Sequence, residues 1–182
     1  MNNKNIWNPA GIAGLALGGA STAYMFLTQW TSSSDMPAIL SVVLTTLFWL
    51  AKFGGCIWLM LYFMKKFACE NPEADNSTTF RFGLVSSLLS ALIFAAASFA
   101  NIAFISADLF DAQIESMLQQ MAPMMDSNSL NMIDKVTANM PQISFFTNLV
   151  YCVIYGTVLS AILSRNIPSK NPFADYKPND QQ

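Results

Sequence analysis

The sequence predicts an all-α integral membrane protein with four transmembrane helices and a short amphipathic helical segment between the third and the fourth. The chain has 182 residues, of which 53% are hydrophobic and only 11% are charged, whereas a soluble domain carries about 25% charged residues. Its mean hydropathy is +0.38, and apolar segments of about 20 residues, the length needed to cross a bilayer, recur along it. Composition and segment length therefore indicate the fold class.

The residue types that are missing exclude several classes of function. The chain contains no His, which is the commonest general base in enzymes and the commonest metal ligand. Its net charge of -2 provides no basic surface for nucleic acid. We therefore expect no His-based catalytic triad, no metal site, no cofactor and no nucleic-acid partner.

The four predicted spans cover about residues 9–30, 37–64, 83–107 and 142–164, within one membrane domain, 1–165, that a polar tail, 166–182, follows. Only the second span contains a charged residue, Lys52. Between Ile39 and Phe63 there are thirteen Leu, Ile, Val or Phe residues, and they contribute roughly -4 to -8 kcal/mol to insertion against about +3 kcal/mol for one central Lys. We therefore expect this segment to insert despite the charge.

The distribution of Lys and Arg predicts a bacterial inner-membrane protein with both termini in the cytoplasm, because cytoplasmic connections retain positive charge. This orientation leaves only Lys135 outside and places seven basic residues inside: Lys4, Lys65, Lys66, Arg81, Arg165, Lys170 and Lys177. The first segment also has features of a cleaved signal peptide, since Lys4 precedes an apolar run with small residues at Gly18 and Gly19. Its apolar character continues to Leu27, which favours a span.

Small residues recur every four positions along three of the spans. Such stripes allow close backbone approach between membrane helices. The stripes predict ordinary packing within a four-helix bundle, and a homodimer interface is the alternative. The predicted packing residues are Gly14 and Gly18 in the first span, Ala91 in the third, and Gly156 and Ser160 in the fourth.

Lys52 is the strongest candidate for a ligand site, because an ionisable residue inside a span is costly and indicates a function by default. On balance the sequence favours a structural Lys that faces backbone carbonyls or snorkels, and a transport or lipid-phosphate site is the alternative. Asn101, Asn148, Tyr151 and Tyr155 also lie within spans. We expect the two amides to form interhelical hydrogen bonds. The alternative is a polar path through the bundle that Lys52 and these four residues line.

The segment at about 108–141 predicts two short amphipathic helices that form an outer cap, because its apolar residues return at helical spacing on both sides of Pro123. The candidate partner surface on this cap is Met-rich and consists of Met117, Met121, Met124 and Met125. Thioethers also bind Cu(I). However, Met is an adaptable apolar surface, and no outside Cys or His supports a metal site, so we predict none.

With the spans placed, the chain resembles a bacterial membrane family catalogued as domain of unknown function 4199. The resemblance covers about residues 11–165 and is carried by Trp58–Phe67 with its Lys65-Lys66 pair, Phe80–Gly83, Asn101, and Pro141–Ser164 ending in Arg165. It implies a four-span inner-membrane protein without an established activity. It also suggests a polyprenyl-phosphate glycosyltransferase as a candidate partner.

The functional hypothesis from the sequence is a non-enzymatic accessory or scaffolding protein of the inner membrane, whose partners are membrane lipids and a second copy or another envelope protein. The alternative is a small transporter or lipid-binding protein that uses Lys52. An enzyme ranks third, because the acidic residues Asp108, Asp111 and Glu115 are explained as the polar face of the cap.

Overall fold

The computed structural model describes residues 6–34, 37–71, 74–121 and 127–167, and every regular element in them is helical. This confirms the predicted all-α class. A π-helical turn, Asn101–Ile105, continues the third helix. The α-helices are α1 (Trp7–Ser33), α2 (Ala38–Glu70), α3 (Asn76–Ala100), α4 (Ala107–Met121), α5 (Ser127–Ala138) and α6 (Met140–Asn166).

Within the described residues, four helical segments are long and apolar enough to cross a membrane: Trp7–Ser32, Ile39–Glu70, Asn76–Ile105 and Met140–Asn166. They correspond to the four predicted spans, but α2 and α3 extend further than predicted at their connection. The second span was predicted to end at residue 64, before Lys65, and the third to begin at residue 83, after Arg81. Long basic side chains tolerate a helical position at the membrane surface. Helices α2 and α3 therefore reach beyond the apolar core of the membrane.

Asp75 explains where α3 begins. Its carboxylate accepts a hydrogen bond of 2.7 Å from the backbone N–H of Thr78, which makes it the N-cap of the helix. Hydrogen bonds from Thr78 lower the pKa of the Asp75 carboxyl, and its side chain has a larger effect than its backbone N–H. The third helix therefore starts at a capped position seven residues before the span that hydropathy predicts.

Helix α3 is the centre of the bundle. It packs along α1 on one side and along α6 on the other. The backbone of α2 comes close mainly to α1, and α2 reaches α3 and α6 through its longer side chains. The end of the bundle that carries Lys65, Lys66, Arg81 and Arg165 is called the basic end. The opposite end, which leads into α4 and α5, is called the cap end.

Glycine permits the close approach of α3 to both neighbours. A Cβ atom added at Gly14 would lie 2.7 Å from Cβ of Leu89, and one at Gly18 would lie 2.9 Å from Cβ of Ile93. On the other side of α3, Gly156 of α6 lies directly against Ser87. The stripes predicted from the sequence are therefore used for packing within one chain, and Ala91 and Ser160 are fully buried in the same bundle.

The structure shows two short helices where apolar spacing predicts the outer cap. The third span ends at Ser106, where the backbone N–H of Ser106 donates a hydrogen bond of 2.8 Å to the carbonyl of Asn101 and closes the π-helical turn. Helix α4 then carries Met117, whose side chain is 60% exposed. Met124, Met125 and the tail after Ile167 lie outside the described residues, as does the side chain of Met121.

Adjacent glycines in α1 provide a matched test of this packing. We expect Gly18→Ala to destabilise the bundle by about 1–3 kcal/mol, because the new Cβ overpacks the contact with Ile93. Gly19 has no atom within 4 Å of an added Cβ, so Gly19→Ala is expected to leave stability unchanged or to raise it by up to about 1 kcal/mol. Thermal unfolding in detergent measures both variants, and equal melting temperatures would contradict the assigned seam.

Candidate functional site

A small cavity lies in the middle of the bundle, where all four membrane helices meet. Its volume is about 60 Å³, which is room for roughly four water molecules. The side chains that give it chemical character are Ser21 from α1, Lys52 and Cys56 from α2, Ser87 and Ser90 from α3, and Tyr151, Cys152 and Tyr155 from α6.

Lys52 points into the bundle and is surrounded by aromatic rings. Its Nζ lies 4.6 Å from the ring centroid of Tyr24 on α1, 5.2 Å from that of Phe94 on α3 and 5.9 Å from that of Phe53 on its own helix. An ammonium within about 6 Å of a ring face is attracted by the negative face of the ring, and by about 2 kcal/mol or more when both groups are desolvated. The three rings therefore form an aromatic cage around the ammonium.

No carboxylate belongs to this cage. The only acidic residue in the four membrane helices is Glu70. It is the last residue of α2, at the basic end, whereas the Lys52 side chain extends toward the cap end. A rise of 1.5 Å per residue places Glu70 about 27 Å from Lys52 along the helix axis. The rings compensate part of the cost of the charge, and they provide no formal negative charge.

The direction of the Lys52 side chain follows from helix geometry. Cα–Cβ bonds in an α-helix tilt toward its N-terminus, and the N-terminus of α2 lies at the cap end. The chain therefore extends from α2 toward the cap end and meets Tyr24 and Phe94 across the helix interface. Sequence reasoning missed this cage, although Tyr24 is the only Tyr in the first span and was the one available signal.

The two predicted tyrosines of α6 line the same cavity as Lys52. Their rings stack with centroids 6.4 Å apart, and Tyr155 also meets the edge of Phe53 at 5.7 Å. Tyr151 is 55% exposed, and α6 has little contact with α2 at this side of the bundle. The cavity therefore lies where α2 and α6 are far apart in backbone and meet through side chains.

The two predicted amides lie away from the Lys52 cavity and connect helices. Asn148 donates hydrogen bonds to the hydroxyl oxygens of Ser98, at 2.9 Å, and Ser144, at 3.2 Å, and so joins α6 to α3. Asn101 donates to Oε1 of Gln29 at 3.1 Å and joins the π-helical turn to α1. The structure therefore does not bring the five predicted residues onto one path.

Two further cavities lie at the ends of the bundle. The one at the cap end has a volume of about 230 Å³ and is bordered by α1, the π-helical turn and α4, with Gln29 and Asn101 in its wall. The one at the basic end has a volume of about 280 Å³ and is bordered by α1, α2 and α3. It is called the basic-end cavity below.

Metal-ligating side chains do not converge in the part of the chain that the structure describes, where no group of three or more Cys, Asp or Glu residues is close enough to hold an ion. Cys56 and Cys152 both line the Lys52 cavity. Their surroundings are the ammonium, hydroxyl groups and aromatic rings, without a carboxylate. This arrangement suits the binding of an anionic group better than that of a cation.

The chain is similar to a known protein family. No curated protein and no solved structure matches the chain. A family model described as "Protein of unknown function (DUF4199)" matches residues 10–165, which include all four membrane helices. The chain therefore belongs to the DUF4199 family of proteins of unknown function.

Proposed function

We propose that this protein is a non-enzymatic, lipid-handling membrane protein that binds the anionic headgroup of an amphiphile at Lys52. The observation that carries the proposal is the caged ammonium of Lys52 beside a cavity where four membrane helices meet. Ionisable residues in this position usually mark a pathway or a binding site.

Electrostatics support an anionic ligand. Placing a Lys at the centre of a membrane helix costs about 2.5–3.5 kcal/mol, and the aromatic cage returns only part of this cost. An anionic group in the cavity would add a charge-assisted hydrogen bond, which contributes about 1.5–3 kcal/mol. The hydroxyls of Ser90 and Tyr155 line the same cavity and are able to donate further hydrogen bonds to such a group.

Access supports an amphiphile as the ligand. The cavity borders the sparse contact between α2 and α6, where the ring of Tyr151 is half exposed. Its volume of about 60 Å³ suits a small anionic group rather than a whole lipid. An amphiphile would place its headgroup beside Lys52 and keep its apolar chains in the surrounding membrane through the gap between the two helices.

Charge removal at Lys52 tests this proposal. We expect phosphatidylglycerol added to the detergent-solubilised protein to raise the unfolding temperature of the wild type more than phosphatidylcholine does, since a ligand stabilises the state that binds it. Lys52→Met is expected to weaken phosphatidylglycerol binding by about tenfold or more, because it removes a charge-assisted hydrogen bond. Lys52→Arg is expected to retain binding.

The matched control is Lys135→Gln, which removes a positive charge from α5, far from the cavity. This variant should bind phosphatidylglycerol as the wild type does. Equal binding by the wild type, Lys52→Met and Lys135→Gln would contradict the proposal.

We further propose a bacterial inner-membrane location with both termini in the cytoplasm. The described residues support this orientation through the four basic residues at the basic end and Lys135 on the cap. Alkaline phosphatase fused after residue 182 is expected to be inactive, because the enzyme works only outside the cytoplasm, whereas the same enzyme inserted after Pro123 is expected to be active. The reverse pattern of activity would overturn this orientation.

An accessory role is the second candidate function, and the exposed apolar residues of the cap favour it. Met117, Met132 and Val136 are 60%, 70% and 50% exposed, respectively, on helices that have little contact with the bundle. Met is common on adaptable binding surfaces. We propose an envelope protein as the partner on this surface, with a polyprenyl-phosphate glycosyltransferase as one candidate.

Photo-crosslinking in living cells tests the accessory role. A photoreactive residue in place of Met117 is expected to capture one envelope protein, whereas the same residue in place of Gln119, which is two positions away and faces another direction, is expected to capture none. Capture of lipid alone at position 117, or equal protein capture at both positions, would contradict this role.

A further inference from the structure

The basic-end cavity combines two opposite charges with an apolar wall. Helix α2 contributes Lys66 and Glu70, which lie one turn apart on the same face, and Asn8 of α1 lies across the cavity from them. Phe63, Phe67 and Phe82 form much of the apolar wall. The rings of Phe67 and Phe82 stack with their centroids 4.3 Å apart, so this wall is rigid and continuous with the buried core.

Aromatic side chains place this cavity at the membrane surface. Trp58 and Tyr62 stack at 5.9 Å on the exposed side of α2, and they are 65% and 49% exposed, respectively. Trp and Tyr concentrate at the level of the lipid headgroups. Tyr62 precedes Lys66 by one helical turn, so Lys66 and Glu70 lie at the depth of phosphates and headgroup amines.

The C-terminal end of α2 borders the cavity. Glu70 is the last residue of α2, where a negative side chain is unfavourable because the C-terminal end of a helix already carries partial negative charge.

The cavity therefore presents groups of opposite charge one helical turn apart. Lys66 attracts a phosphate, whereas Glu70 and the C-terminus of α2 attract an ammonium group. A purely anionic headgroup would be repelled by Glu70. A choline headgroup carries no N–H to donate to the Glu70 carboxylate, whereas a primary ammonium donates up to three hydrogen bonds.

We infer that the basic-end cavity binds a phospholipid whose headgroup joins a phosphate to a primary ammonium, as in phosphatidylethanolamine. The phosphate lies at Lys66, the ammonium lies at Glu70, and the upper part of an acyl chain lies along Phe63 and the stacked pair. This site is separate from the Lys52 cavity, and it does not depend on the function proposed for Lys52.

Native mass spectrometry with a mixture of phosphatidylethanolamine, phosphatidylcholine and phosphatidylglycerol tests the inference. The wild type is expected to retain phosphatidylethanolamine at least tenfold more tightly than phosphatidylcholine. Lys66→Gln is expected to reduce phosphatidylethanolamine binding about tenfold. In a Lys52→Met background, which removes the phosphatidylglycerol site proposed above, Glu70→Gln is expected to remove the preference for phosphatidylethanolamine over phosphatidylglycerol, so that their binding ratio falls to about one.

The neighbouring residue provides the matched control. Lys65→Gln removes the same charge from the adjacent, exposed position, which does not line the cavity, and it is expected to leave all three lipids bound as in the wild type. The Lys52→Met background removes lipid held at the Lys52 cavity, so the remaining preference reports the basic-end cavity alone. Water-soluble phosphoethanolamine is expected not to displace the lipid, because it lacks the acyl chain.

Two results would overturn the inference. One is a wild type that binds the three lipids equally, a result that needs no variant to fold. The other is a lipid preference that Glu70→Gln leaves unchanged while circular dichroism shows this variant to be folded. Displacement by phosphoethanolamine would overturn the lipid as the ligand and assign the site to the free headgroup.

Discussion

The close approach of α3 to α1 and α6 is the constraint on which the rest of the bundle depends. Lipid surrounds these helices, so their association relies on dispersion contacts and interhelical hydrogen bonds rather than on the exclusion of water. Gly14 and Gly18 allow the contact with α1, and Gly156 allows the contact with α6. The backbone of α2 comes close mainly to α1 and only sparsely to α6. The cavity at Lys52 lies at this sparse contact between α2 and α6.

A charged residue is tolerated in this cavity because aromatic rings, rather than a carboxylate, surround it. Tyr24 and Phe94 belong to α1 and α3, which pack closely together, and Lys52 of α2 lies against both rings. Rings attract an ammonium without neutralising it. A salt bridge would have stabilised Lys52 as a purely structural group, whereas the cage keeps a net positive charge that remains available to an anion.

Hydropathy and spacing predicted the four membrane helices, the helical cap and the small residues that pack them, because these features are local in sequence. The ends of α2 and α3 were predicted too short, because a charged residue such as Lys65 was taken to end a span. The cage around Lys52 was not predictable, since Tyr24 and Phe94 lie on other helices and their position depends on helix order and rotation. For the same reason Asn148 was grouped with Lys52, whereas it bonds to Ser98 on another face of the bundle.

An experimental density map of the protein extracted together with its native lipids tests the central claim most directly. The account predicts density for an anionic group within about 3 Å of the Lys52 Nζ, the distance of a charge-assisted hydrogen bond, with apolar density continuing through the gap between α2 and α6. A well-resolved cavity that contains only the ammonium over the rings of Tyr24 and Phe94, with α2 and α6 closed against each other, would contradict it.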